Sequence, residues 1–183
     1  MQVISTKLDG LKLIIPKMFG DSRGFFFESF SADRYANLVG LTDPLVQMNC
    51  SRSCYGVLRG LHYQLAKPQA KLVMVTRGKV RDIVVDIRLG SPTYGQWLAF
   101  ELSDENNHQL YIPKGFAHGF VALSETVDFF YACTDYYDPN GERGILWRDP
   151  KLAIDWQINN PILSAKDQLY PTFDQLSKSD HPL

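Results

Sequence analysis

The 183-residue chain has no apolar run near the 18 residues that a membrane-spanning helix needs, so it is not expected to cross a membrane as a helix. Its first stretch, Met1 to Leu13, carries Asp9 and lysines where a secretory signal would be continuously apolar. Cysteine is scarce and odd in number: Cys50, Cys54 and Cys133 make no disulfide scaffold in a chain of this length, and a reducing, cytoplasmic setting is expected. Neither sign of charge dominates. Nineteen Lys and Arg stand against 20 Asp and Glu, with a net charge of −1 and no block of like charges, which argues against a nucleic-acid binder while leaving room for a local basic pocket. Internal repeats, low-complexity tracts and flexible linkers are also missing.

What is there is apolar and aromatic, at 45% and 13% of residues. A chain of this size buries roughly 70% of its unfolded surface, so neither a disulfide nor a metal is needed to hold it. We expect one domain over residues 1–183, with a core of about 10–147 and a tail, 148–183, packed on it. Short β-rich runs punctuated by Gly and Pro predict an all-β sandwich or barrel with a few short peripheral helices. The expected strands are Leu11–Ile15, Gly24–Phe30, Lys71–Thr76, Val80–Ile87, Gln96–Leu102, Gln109–Ile112, Phe120–Leu123 and Thr126–Cys133. Gly78 suits a tight hairpin. One helix is expected at Ala32–Val39, with Ser31 as cap, Phe30 and Tyr35 as a hydrophobic staple and Gly40 as its end, and a second short one from Ser164.

Polar residues inside β-patterned sequence are the candidates for chemistry. In Gly56–Gln64 the residues Arg59, His62 and Gln64 interrupt apolar neighbours, and His62 and Gln64 share a face if the segment is extended. A hydrogen-bonded core histidine is the plainer alternative. Lys71 heads an apolar strand, where lysine ordinarily snorkels to water. Asp82 and Asp86 share a face with Val80 and Val84, and need either an ion pair with Arg81 or Arg88 or a wet cavity. Ser164 to Asp167 reads as a capping box. Tyr131 falls on one strand face with Val127, Phe129 and Cys133, where packing alone explains it. Cys50 and Cys54 lack a second pair for a zinc site and read as buried thiols.

Pro113–Phe120, a Pro/Gly turn leading into a strand with His118, resembles the second half-motif of the cupin superfamily, whose jelly-roll barrels often hold a metal on histidines. The matching first half reads His62-Tyr63-Gln64, with an amide where a second histidine would stand, so no metal is expected. A closer resemblance is carried by Phe19–Glu28, Gln47-Met48-Asn49, Leu58–Gln64, Val80–Arg88, Ile112–Phe120 and Leu163–Asp167, in that order. Together these resemble the dTDP-4-dehydrorhamnose 3,5-epimerases from about Met18 to Pro171.

The resemblance implies a jelly-roll homodimer that acts on dTDP-4-dehydro-6-deoxy-D-glucose without cofactor or metal, its pocket shared between two chains. It implies His62 as base with Asp167 as its partner, Tyr131 as the opposing acid and Lys71 at the enolate oxygen. Arg23, Glu28, Gln47, Asn49, Arg59, His118, Glu142 and Lys166 are implied as substrate contacts, with Phe19, Phe26 and Tyr136 as looser stacking candidates. Two alternatives stay close to this family or superfamily: an epimerase inverting C3 or C5 alone, and a metal-dependent cupin. A third is a non-catalytic sugar-nucleotide binder, which would have no use for His62, Lys71 and Tyr131 together.

Overall fold

A computed structural model describes residues 1–182; the last residue of the expected tail, Leu183, lies outside the described residues. The strands are β1 (Gln2–Ser5), β2 (Lys12–Ile15), β3 (Phe19–Asp21), β4 (Gly24–Phe26), β5 (Gln47–Cys54), β6 (Leu58–Gln64), β7 (Lys71–Arg77), β8 (Lys79–Asp86), β9 (Trp97–Ser103), β10 (Gln109–Ile112), β11 (Phe116–Ala122), β12 (Thr126–Cys133) and β13 (Glu142–Gly144). One sheet runs β1-β2-β10-β7-β12-β5, a second runs β13-β6-β11-β8-β9, and β3 pairs with β4 alone. All these pairings are antiparallel, and the two large sheets face each other as a cupin-type jelly roll, as expected.

Alternation along β8 shows why the layers form. Val80 and Val84 point between the sheets into a core with Val73, Leu110, Phe120 and Phe129. Ile83, Val85 and Ile87 point outward, where Leu152, Trp156 and Phe173 of the tail cover them. The helix α1 (Ala32–Val39) covers the other sheet, burying Tyr35 and Val39 against Ile14 and Leu72. Its staple forms, with the Phe30 and Tyr35 rings 5.0 Å apart, and Gly40 ends it in the left-handed region at φ 86°. Ser31 keeps extended backbone but makes no side-chain cap bond; Asp33 in the first turn supplies the favourable charge there instead.

Several expectations need correction. The segment from Gly24 pairs only as far as Phe26. Ser164 leads into a turn, not a helix, and among the described residues the tail's helical structure is two 3₁₀ turns, Phe173–Gln175 and Lys178–Asp180. β11 begins at Phe116, four residues before expectation, which puts His118 inside a strand rather than at its start. β1, β3, β5, β6 and β13 are additional to the expected strands, because polar residues or glycine interrupt or replace the apolar alternation in each.

The decisive irregularity lies in β6. Strict alternation would send Arg59 to the face opposite His62. Instead His118 pairs with His62 while Phe120 pairs with Arg59, so β6 uses one residue more than β11 between the two pairs. Gly60, at φ 117°, takes up the difference. Leu58, Leu61 and Tyr63 pack outward under the tail, while Arg59 and His62 both face inward. The strands approach so closely that a Cβ on Gly60 would lie 2.6 Å from Gly119 Cα and 2.7 Å from the His118 carbonyl oxygen. A Cβ on Gly119 would lie 2.7 Å from the Arg59 carbonyl oxygen. Gly60→Ala is therefore expected to cost about 3 kcal/mol, from the positive φ and the backbone clash together. Urea unfolding checks this, and an unchanged midpoint would contradict the close approach.

Candidate active site between the sheets

A cavity opens where the inward faces of the sheets turn polar. It has two compartments of about 350 and 270 Å³ that share His62, Lys71, Tyr131 and Glu142 in their lining. The five-stranded sheet contributes Arg59 and His62 from β6, His118 from β11 and Glu142 from β13. The six-stranded sheet contributes Lys71 from β7, Tyr131 from β12, and Gln47, Asn49 and Ser51 from β5. The tail returns to add Ser164, Lys166 and Asp167.

His62 Nε2 donates to Asp167 Oδ1 at 2.5 Å, across 105 positions of sequence. The capping-box contact is present as well, on the other carboxylate oxygen: the Ser164 hydroxyl donates to Oδ2 at 2.8 Å, and the Asp167 amide donates to Ser164 Oγ at 3.1 Å. The two roles thus divide the oxygens instead of competing for them. Asp167 is 3% exposed; burial raises its pKa, but the bonds from His62 and Ser164 and the nearby charges of His62 and Lys166 outweigh burial and hold it below the ordinary aspartate value. With Nε2 engaged, Nδ1 is the imidazole nitrogen with no hydrogen-bond partner among the described residues.

Lys71 does not snorkel. Burial pushes its ammonium below the usual lysine range, against the pull of Cys133, Asp82 and Glu142. Asp82 is fully buried and takes neither expected arginine. His118 Nε2 donates to it at 2.8 Å, while Arg81 turns to the Asp155 carbonyl. Burial pushes the Asp82 carboxyl up, opposed by His118 and Lys71. Asp86 does pair with Arg88, at 2.8 Å, and also accepts from Ser91 and Thr93. Burial raises its pKa, but these bonds prevail and set it at about 2. Tyr131 is raised by burial and by Cys133 and Glu142, so it stays protonated at neutral pH.

Glu142 is clasped from two sides. Its Oε2 accepts from Lys166 and from the Tyr137 hydroxyl, both at 2.7 Å. Arg59 donates to Ser53 Oγ at 3.1 Å. Gln64 is occupied structurally: its amide donates to the Lys67 and Tyr136 carbonyls and accepts from the Asp138 amide. Among the described residues no three His, Cys, Asp or Glu side chains converge as a metal site would require.

Arg23 and Glu28 are not brought to this cavity. Arg23 is exposed on the β3–β4 hairpin, paired with Asp21, and Glu28 lies near Arg34. Phe19, Phe25 and Phe26 on that hairpin are 53%, 62% and 68% exposed. Tyr137, rather than Tyr136, lines the cavity. Cys50 and Cys54 are exposed, not buried, because they occupy the outer face of the edge strand β5. Gln69, Cys133 and Ser164 also line the cavity; only Ser164, three before Asp167, had a sequence signal.

A family model described as dTDP-4-dehydrorhamnose 3,5-epimerase matches residues 5–175. A Salmonella typhimurium protein of that name is 49% identical over 177 residues, 96% of this chain and 97% of its own. The crystal structure of a dTDP-6-deoxy-D-glucose-3,5-epimerase from Legionella pneumophila, in complex with dTDP-4-keto-L-rhamnose, superimposes with a TM-score of 0.96 at 54% identity, covering 99% of this chain and 97% of that one. A Streptomyces niveus protein named dTDP-4-dehydrorhamnose 3-epimerase is 42% identical over 162 residues, 88% of this chain and 78% of its own.

The His62–Asp167 pair has a pH signature. A carboxylate whose folded pKa is depressed contributes stability that is present above its unfolded value, near 3.9, and lost as pH falls through the folded one. Asp167→Asn is expected to lower stability by about 1–2 kcal/mol at pH 7, with the difference from wild type shrinking in acid. Urea midpoints at pH 7 and pH 3 check this; an equal difference at both would contradict it.

Proposed function

Given that the chain belongs to the dTDP-4-dehydrorhamnose 3,5-epimerase family and is an isomerase, we propose that it inverts C3 and C5 of dTDP-4-dehydro-6-deoxy-D-glucose, giving dTDP-4-dehydro-L-rhamnose. The C4 ketone makes both C–H bonds acidic, because either carbanion delocalises onto the C4 oxygen as an enolate. One proton leaves and one returns at each carbon, so the reaction balances without a redox cofactor. It needs a base on one face, an acid on the other and a cation at the oxygen.

The observation that carries this is that His62 and Tyr131 line one cavity from opposite sheets, with Lys71 in the same lining. In this account His62 takes the proton, and Asp167 orients the ring and stabilises the imidazolium. Tyr131 returns a proton from the other side. The Lys71 ammonium meets the developing oxyanion in a water-poor setting, where losing such a contact typically costs about 10²–10³ in rate. His118, braced by Asp82, and the clasped Glu142 and Lys166 contact the sugar nucleotide. Arg59, Gln47 and Asn49 serve its diphosphate end, the guanidinium fork matching phosphate oxygens.

Arg23 and Glu28 act in the pocket of a second copy. What supports a homodimer is the exposed apolar hairpin, which carries Arg23 away from its own cavity. The chain then works as one domain, the barrel of about 10–147 completed by the tail, and the free thiols and nucleotide-sugar substrate suit the cytoplasm.

His62→Ala is expected to abolish turnover nearly completely while dTDP affinity stays within a few-fold, in a reductase-coupled assay and by calorimetry. Equal loss of both would contradict the separation of base and nucleotide contacts. Arg23→Ala should also be nearly inactive alone, and mixing it with His62→Ala chains should restore turnover, because a mixed dimer rebuilds one intact pocket. No recovery after subunit exchange would refute sharing.

A further inference from the structure

The proposed chemistry makes no use of Tyr170, yet its ring lies against the base. Its plane meets the His62 imidazole edge to face, with centroids 5.6 Å apart and planes at 69°. Another flank of the ring rests on Gly144, the residue paired with His62 across β13 and β6. The fit depends on a missing side chain: a Cβ on Gly144 would lie 2.5–2.6 Å from three ring atoms. The Tyr170 hydroxyl is buried without a hydrogen-bond partner among the described residues. Burial pushes its pKa up, as do the charges of Glu142 and Asp167. The ring, not the hydroxyl, is therefore what this position supplies.

Tyr170 also ends the loop that brings Asp167 home. The loop is tied at its start by Ile162, whose amide donates to the Gly56 carbonyl at 2.8 Å and whose carbonyl accepts from the Leu58 amide at 2.9 Å. At its end the Pro171 carbonyl accepts from the Leu146 amide at 2.8 Å. Between these ties, Asp167 holds His62 by a single hydrogen bond. An imidazole held at one nitrogen still turns about that bond, so its plane needs a second contact. An edge-to-face aromatic neighbour of fixed position supplies one.

We propose that Tyr170 is a positioning residue: seated on the bare backbone of Gly144, its ring sets the plane of His62 so that Nε2 stays on Asp167 while Nδ1 addresses the substrate. This rests on His62 being the base of the epimerisation. Misplacing a reacting group lowers turnover more than binding.

The test compares Tyr170→Leu, Tyr170→Phe and Gly144→Ala by steady-state kinetics, melting, and imidazole NMR of His62 without substrate. Tyr170→Phe keeps the ring and is expected to retain kcat and the His62 signals. Tyr170→Leu and Gly144→Ala, which displaces the ring, are each expected to lower kcat about tenfold with KM within about twofold, and to shift or broaden the His62 signals. Their combination should be no worse than either alone, because both remove one contact. Unchanged His62 signals and kcat in Tyr170→Leu would overturn the proposal, as would additive losses or a full loss in Tyr170→Phe. Should Tyr170→Leu fail to fold, Gly144→Ala tests the same contact by the same readouts, and unchanged His62 signals and kcat there would overturn the proposal equally. His62 signals that respond in an enzyme with no epimerase activity would instead refute the proposed function and leave the positioning intact.

Discussion

At Gly60 the backbone of β6 comes so near Gly119 of β11 that neither position has room for a Cβ, and the rest of the site follows from that contact. The residue inserted there reverses the alternation of β6, which lets Arg59 and His62 face one cavity while Leu58, Leu61 and Tyr63 face the tail. The outward trio gives the tail its footing. The tail, once seated, returns Asp167 to His62 from 105 residues away. A base and its orienting carboxylate, distant in sequence, are thus joined through packing on the reverse side of the sheet that carries the base.

The interior divides into a dry part and a charged part. Phe120 and Phe129 stack with centroids 4.2 Å apart and border both the apolar core and the cavity. On the charged side the carboxylates have partners: Asp167 with His62 and Ser164, Asp82 with His118, Glu142 with Lys166 and Tyr137. Among the described residues Lys71 makes no hydrogen bond to a carboxylate and feels Asp82 and Glu142 only at longer range. An ammonium that lines the cavity and is partly desolvated there is suited to meeting an oxyanion that appears only during reaction.

The legible parts of the fold were those where apolar residues alternate. β8 could be read residue by residue, including the unusual placement of Asp82 and Asp86 beside Val80 and Val84. β5 could not, because its inward positions, Gln47, Asn49, Ser51 and Ser53, face polar surroundings and erase the apolar stripe by which strands are recognised. Its outward cysteines consequently read as buried. The register change at Gly60 left no trace in hydropathy, since spacing alone puts Arg59 and His62 on opposite faces. For Asp167, sequence offered a local cap or a distant partner, and each carboxylate oxygen serves one. The site residues were recognisable from motif resemblance; His62 and Tyr131 facing each other from separate sheets required the fold.

The most direct test is proton NMR of the purified protein with dTDP-4-dehydro-6-deoxy-D-glucose in deuterated water. If His62 and Tyr131 work on opposite faces of one enolate-forming sugar, the C3 and C5 proton signals should both disappear, and dTDP-rhamnose should form when a reductase and NADPH are supplied. Exchange at one carbon alone would contradict double inversion, and retention of both signals would contradict the enolate account altogether.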